Sequence, residues 1–259
     1  TLWAETHAFL DPDLRRQAKS CLLPRFWEMY LAYVLTHAGT ELERSRRSGK
    51  GPDLLTSRGH IWIEAVVATD GKGEDAVPPE VDLVAQEVPD DQIKLRFRNA
   101  IGKKLLKWGT WIEQGVVDGC DPYVVAINGA GIRRGTPERT IPRIVRTLFP
   151  LGDEIVYPGS SRSATDIQVT LSDHVRKRSG SSVSTDVFLD GEFSGISAVL
   201  YTRSDVLNKR GFTVVHNPLA TNPIPRGRFS IGGEYWREGN VVKRKALDKR
   251  LSLPPDEVE

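Results

Sequence analysis

Three side chains of this sequence could do chemistry together: Asp53, Glu64 and Lys104. Asp53 follows Pro52 at the start of a short predicted strand, "PDLLT". Glu64 falls inside "HIWIEAVVA", a predicted strand whose other members are almost all apolar. A carboxylate among such neighbours is costly unless something positive holds it. A hairpin would return Glu64 close to Asp53. Two close carboxylates repel, so one stays protonated or a cation sits between them. Oxygen ligands of this kind suit a hard cation such as Mg²⁺. The bland alternative for Glu64 is an ion pair with a nearby arginine.

The elements that must position these groups can be read from periodicity. Side chains alternate faces along a strand, so Ile61, Ile63, Ala65 and Val67 share one face. Trp62, Glu64, Val66 and Ala68 share the other. Both faces are apolar, which predicts a strand covered on two sides. A long helix is predicted from about Asp91 to Gly115. At helical spacing Phe97, Ala100, Ile101, Leu105, Trp108, Trp111 and Ile112 form one stripe. Lys104 falls inside that stripe, whereas Lys103 and Lys107 fall outside it or at its border. Lys104 is therefore the lysine the helix directs at the sheet. It meets Glu64 in a catalytic arrangement, pairs with it structurally, or snorkels to solvent. Upstream, "RFWEMYLAYVLTHA" predicts a helix over 25–38, with Pro24 in its first turn and Gly39 at its end. It carries Glu28.

Pro52-Asp53 followed by Glu64-Ala65-Val66 resembles the PD-(D/E)xK nuclease superfamily. The order helix–strand–strand–strand–helix–strand over roughly residues 25–130 resembles it too. The resemblance implies a restriction-endonuclease-like fold: a central mixed sheet flanked by helices, here with a strand-rich C-terminal extension. It implies a Mg²⁺-dependent endonuclease, with Mn²⁺ as a substitute, that hydrolyses phosphodiester bonds, in DNA as in most of the superfamily. Asp53, Glu64 and the Ala65 carbonyl would hold the metal, and Glu28 would assist from the upstream helix. The family lysine belongs at position 66, where this chain has Val66. The resemblance is therefore to a variant whose lysine has moved to the following helix, as Lys104. The stretch "LRFRNAIGKKLLKWGTWIEQGVVDGCDPYVVAING" also resembles uncharacterised bacterial nuclease-like proteins, as do "GISAVLYT" and "HNPLATNPIPRG". A bacterial defence role, in a homodimer or larger complex, is what that resemblance implies. The alternative is an inactive nucleic-acid-binding module of the same fold, or an enzyme of nucleotide phosphate chemistry.

Composition sets the limits. The 259 residues, 39% hydrophobic and 27% charged, are those of an ordinary globular chain with a sizeable core. No apolar run approaches bilayer length and no signal peptide is visible, so a cytoplasmic protein without a membrane partner is expected. Cys21 and Cys120 form no framework, and buried thiols are expected. The net charge of +2 does not announce nucleic acid, but basic residues are clustered. Arg44, Arg46, Arg47 and Lys50, with Arg96, Arg133 and Arg134, are the candidates to bind backbone phosphates. A single domain over 1–259 is the simplest division, with a core over about 25–130 and strands over about 150–240. "TELERSR" and "PYVVAING" are expected as strands, and 71–91 as a long loop. "TPERTIPRIVRTLF" is expected as a helix capped by Thr136 with Pro137 first. "STDVFLD", "GISAVLYT" and "GFTVVHN" are expected as strands, with a frayed tail after about Asn240. His216 is expected at the end of a strand, capping a turn, "NGAGIRRG" lacks a P-loop ending, and the remaining histidines and serine-rich runs carry no catalytic spacing.

Overall fold

The computed structural model describes residues 2–44, 50–80, 86–135, 138, 140–155 and 168–245. Two short helices, α1 (Leu2–Thr6) and α2 (Leu14–Gln17), precede the long α3 (Leu22–His37). Phe26, Trp27, Tyr30, Leu31, Val34 and Leu35 recur on one face of α3 and are buried. The helix ends where Gly39 takes φ +83°, so that the Thr40 N–H reaches back to the Leu35 carbonyl at 2.9 Å. Strands β1 (Leu54–Leu55) and β2 (Trp62–Val67) follow, then α4 (Asp90–Glu113) and β3 (Tyr123–Asn128). Asp90 and Asp91 lie in the first turn of α4, where their charge suits the helix dipole.

The rest comprises α5 (Arg143–Leu148), β4 (Leu151–Ile155), β5 (Gln168–Leu171), β6 (His174–Arg176) and β7 (Ser182–Ser184). It ends with β8 (Ala198–Thr202), β9 (Thr213–His216), β10 (Gly233–Glu238) and β11 (Val241–Lys245). Seven strands make one mixed sheet in the order β1-β2-β3-β8-β9-β10-β11. Strands β2, β3 and β8 run parallel, with Glu64 beside Val125 and Val125 beside Val199. Strands β1 and β9 run against their neighbours β2 and β8, and β10 runs parallel to β9. The two short hairpins β4-β5 and β6-β7 stand outside this sheet.

Helices cover both faces of the sheet. One core joins α3 to Ile61, Ile63, Ala65, Val124 and Ala126. The other joins α4 and α5 to Trp62, Ala68, Val125, Ile127 and Val199. The α/β class with a mixed, helix-flanked sheet is thus observed, and β2 is covered on both faces as its two apolar sides require. Trp27 crosses from α3 to donate its indole N–H to the Ala126 carbonyl at 3.1 Å.

Several expected elements differ. "TELERSR" forms only an isolated bridge, Leu42 to Thr56, among its described residues. The helix expected from Thr136 starts at Arg143, because Pro142 has no N–H to donate and steers Ile141 away from helical angles. Thr136 and Pro137 lie outside the described residues. "STDVFLD" holds one 3₁₀ turn (Val187–Leu189) rather than a strand, and a second (Gly191–Phe193) follows it. Asp190 caps the second by accepting the Glu192 N–H, a local bond that competes with a ladder. The late strands form no extension: β8–β11 complete the central sheet. Val241–Lys245, expected to fray, pairs with β10 along its whole length. Cys21 and Cys120 are both exposed.

Candidate active site

Asp53 is set by the turn that enters β1. Gly51 takes φ +113°, which favours glycine, and Pro52 fixes the next step. β1 is only two residues long, pairing Leu54 with Ile63 and Leu55 with Trp62. Among the described residues the rest of the β2 edge has no strand partner. Asp53 fills part of that edge: its Oδ2 accepts the Ala65 N–H at 2.7 Å. Continuing the β1–β2 register places Asp53 opposite Glu64.

Glu64 is 1% exposed. Its Oε1 accepts from Lys104 Nζ at 2.5 Å and from Lys107 Nζ at 2.9 Å. Its Oε2 is buried and has no hydrogen-bond partner. Lys104 is thus brought to Glu64, and Val66 packs in the α4-side core. Lys107, read from the sequence as a border residue, also reaches the carboxylate. Its ammonium lies 4.4 Å from the Trp111 ring centre, an additional hold on a half-exposed side chain. Lys94, at the first turn of the same helix, is 3% exposed and bonded to Asp90 rather than to this site.

Glu28 approaches from α3. It is 8% exposed, and Arg25 Nη1 donates to its Oε1 at 2.5 Å. Burial raises the Glu28 carboxyl above its ordinary value. Arg25 opposes that rise, while Glu64 and Asp11 add to it. Asp53 is displaced further. Burial first, then the charges of Glu64 and Glu28, hold its carboxyl well above the usual carboxylate range, against the Ala65 N–H and Lys104. The three carboxylates therefore sense one another, but they do not form a chelating group. Among the described residues no three His, Cys, Asp or Glu side chains converge closely enough for that.

Tyr123, which the sequence did not single out, supports the lysines. Its ring stacks on Trp108 at 4.4 Å and 5°, and its hydroxyl donates to the Lys104 carbonyl at 3.2 Å. Burial, then Glu64 and Asp53, push that phenol well above its usual value. Its position at the first residue of an apolar strand, next to Trp62 in the ladder, was the available signal.

A cavity of about 80 Å³ opens on the α3 side of Asp53 and includes Asp11, Glu28, Glu43, Arg44 and Lys50 in its wall. Asp11 and Glu43 were not foreseen. Arg44 and Lys50 are exposed at its rim, and Arg46 and Arg47 lie outside the described residues. The remaining basic candidates are not in this wall. Arg96 Nε donates to the Thr69 carbonyl, Arg133 pairs with Asp70, and Arg134 donates to the Glu87 carbonyl. These three brace the segments that follow β2. His216, expected at the end of a strand where a turn begins, is the last residue of β9 and lies 2.6 Å from Glu234 Oε1. Among the described residues no helix is long and apolar enough to cross a membrane. Comparison with family models, with curated proteins and with solved structures finds no match to this chain.

Proposed function

We propose that this protein is a metal-dependent nuclease with a restriction-endonuclease-like fold, cutting phosphodiester bonds in DNA, with Asp53 and Glu64 at its centre. The observation that carries the reading is the unpartnered Glu64 Oε2 beside an Asp53 carboxyl that burial first, and then neighbouring negative charge, hold well above the usual carboxylate range. A buried acceptor with no donor is rare in a settled fold. A hard cation would satisfy it and would relieve the repulsion at Asp53. The donor set is short: two carboxylates and, as a third group, the Ala65 carbonyl. That suits Mg²⁺, with Mn²⁺ as a substitute, because Mg²⁺ keeps most of its water and needs few protein ligands. When bound, the cation supplies polarisation of a phosphate oxygen and acidifies water.

The chain's own residues do the rest. Lys104 donates from Nζ and so can orient an attacking water and steady charge on a phosphate oxygen. Lys107 holds the same carboxylate in place. Glu28, with its raised carboxyl, can take the proton of the attacking water as the new P–O bond forms and the ester P–O bond breaks. Arg44 and Lys50 at the rim would bind flanking phosphates, joined by Arg46 and Arg47. Two exposed, unpaired cysteines suit a reducing cytoplasmic setting.

A second reading has its own support. Glu64 Oε1 is already matched by two ammonium groups, and Asp53 Oδ2 already caps the β2 edge. Both carboxylates therefore have structural roles, as in a nucleic-acid-binding module without hydrolysis. Cleavage of plasmid, single-stranded DNA and RNA in Mg²⁺, Mn²⁺ and EDTA separates the two. The nuclease reading expects metal-dependent cutting that falls at least about 10²-fold in Asp53→Ala, Glu64→Ala and Lys104→Ala, with DNA binding retained. Cutting that survives both carboxylate changes removes the site assignment, and binding without cutting on any substrate selects the module.

A further inference from the structure

The hairpin β6-β7 stands outside the central sheet and is fixed to the body at both ends. Its register pairs His174 with Ser184, Val175 with Val183 and Arg176 with Ser182. Alternation along each strand puts Val175 and Val183 on one face, and His174, Arg176, Ser182 and Ser184 on the other. Val175 is buried at 2% exposure, so the first face is the one turned to the body. Arg98 of α4 clamps the base. Its Nε donates to the Ser184 carbonyl at 3.0 Å, and its guanidinium lies 5.6 Å from the Phe193 ring centre. The tip is closed by the Lys177 N–H on the Ser181 carbonyl and the Gly180 N–H on the Lys177 carbonyl, both at 2.9 Å, with Gly180 at φ +87°. Asp75 holds the tip from the side by accepting the Arg178 backbone N–H at 2.8 Å.

This ribbon presents positive charge without partners. Arg176 and Arg178 are exposed, and Lys177 is half-exposed. Among the described residues none of their side chains makes a hydrogen bond or an ion pair. Carboxylates of the same region are engaged elsewhere: Asp173 with the His174 ring, Asp186 with the Ser184 hydroxyl, and Asp75 with backbone. Arg96, Arg133 and Arg134 differ, since each is spent on a carbonyl or a carboxylate. The exposed hydroxyls of Ser179, Ser181 and Ser182 add neutral donors beside the cations.

We propose that the β6-β7 hairpin docks duplex DNA, with Arg176, Lys177 and Arg178 on backbone phosphates. A two-stranded ribbon fits the major groove of B-form DNA, whereas the deep, narrow major groove of duplex RNA excludes it. Residues 172–184 include no Phe, Tyr or Trp on which the unstacked bases of a single strand would rest. The tip, residues 177–181, has no apolar side chain to enter a lipid surface. A ribbon already fixed in place loses little freedom on binding. The proposal rests on the nucleic-acid part of the proposed function and needs no cleavage.

Fluorescence anisotropy of a short labelled DNA duplex, titrated with the full chain in EDTA over a range of salt, tests it. The native protein is compared with Arg176→Gln/Lys177→Gln/Arg178→Gln and with Lys243→Gln/Arg244→Gln/Lys245→Gln. The second variant removes the same charge from β11, at the sheet edge opposite β1. The hairpin variant should bind about tenfold more weakly or worse, and its slope of log affinity against log salt should be shallower by about 2–3. The β11 variant should bind like the native protein. If the triple hairpin variant fails to fold, Arg176→Gln alone should make the slope shallower by about 1. The hairpin assignment is overturned, with the nucleic-acid reading intact, if the native protein binds duplex and the hairpin variant binds as well, or if both triple variants weaken it equally. Tighter binding of single-stranded DNA, duplex RNA or anionic vesicles than of the DNA duplex also overturns it. No binding of any nucleic acid by the native protein overturns both.

Discussion

Helix α4 carries a buried charge cluster near each end. At its first turn Asp90 is ringed by cations: Arg143 Nε at 2.6 Å, Arg146 Nη1 at 3.1 Å and Lys94 Nζ at 3.2 Å. In its second half Lys104 and Lys107 converge on Glu64, with Asp53 and Glu28 nearby. The ingredients are alike, but the balance is opposite. Burial alone would raise the Asp90 carboxyl, yet Lys94, Arg146 and Arg143 overcome it and hold it below the usual range. Around Glu64 burial first, and then the neighbouring carboxylates, drive Asp53 the other way. A buried carboxylate that its surrounding cations over-compensate is a structural fastening. A cluster whose carboxyl is displaced upward by burial and by neighbouring carboxylates is a place where a cation would be stabilised. Perturbation of a titrating group is therefore not enough to mark a site, since both clusters perturb theirs. The direction of the perturbation separates them.

The largest effect expected is at the fastening. Asp90→Ala leaves Lys94, Arg143 and Arg146 buried at 2–3% exposure without their shared partner. Breaking a buried pair in this way costs about 3–5 kcal/mol, read as a fall in urea midpoint or melting temperature. Its pH dependence has a definite sign. A depressed folded pKa gives stability that is complete above the unfolded value, about 3.9. It is lost as pH falls through the lower folded value. The gap in stability between the native protein and Asp90→Asn should thus hold at neutral pH and close below about pH 4. A loss under about 1 kcal/mol for Asp90→Ala would mean that Glu138 and Asp153 suffice for the arginines, and the contrast between the clusters would weaken.

At the other cluster the same kind of change should act in reverse. Asp53→Asn keeps a carbonyl oxygen for the Ala65 N–H while removing the charge that Glu64 and Glu28 oppose. In EDTA the variant is expected to be as stable as the native protein or more so, by about 1 kcal/mol, equivalent to roughly 2–4 °C. Added Mg²⁺ should raise the melting temperature of the native protein and leave that of Asp53→Asn unchanged. A substantial loss of stability in EDTA would make Asp53 another fastening and remove the reason to expect a cation beside it.

The sequence disclosed these two clusters unequally. The faces of β2 and the apolar stripe of α4 are strict periodic patterns, so Glu64 and Lys104 could be placed against each other from spacing alone. Lys107 could not: at the stripe's border, only the length and flexibility of its side chain bring it to Glu64. The Asp90 cluster was missed because its members are scattered over 90–146 and meet only through the packing of α5 on α4. The start of α5 depended on Pro142, a local exclusion stronger than the capping pattern at Thr136. Val241–Lys245 was read as tail because its charged residues lack an apolar face. A strand at the sheet edge needs only the ladder to β10.

The smallest expected effect is also the finest test of how the Glu64 cluster is held. Tyr123→Phe preserves the ring on Trp108 and removes only the hydroxyl at the Lys104 carbonyl. A mid-helix carbonyl already accepts the N–H four residues on, so no acceptor is orphaned. The cost in stability should be near the low end for a hydrogen bond, about 0.5 kcal/mol. If Lys104 orients the reacting water, loosening its turn should lower kcat a few-fold while KM stays fixed, because ground-state binding rests on Arg44 and Lys50. A merely structural Tyr123 would change the melting temperature without changing kcat. A change confined to KM would transfer the role of Lys104 from the chemical step to substrate binding, and the helix would then serve both clusters as a fastening.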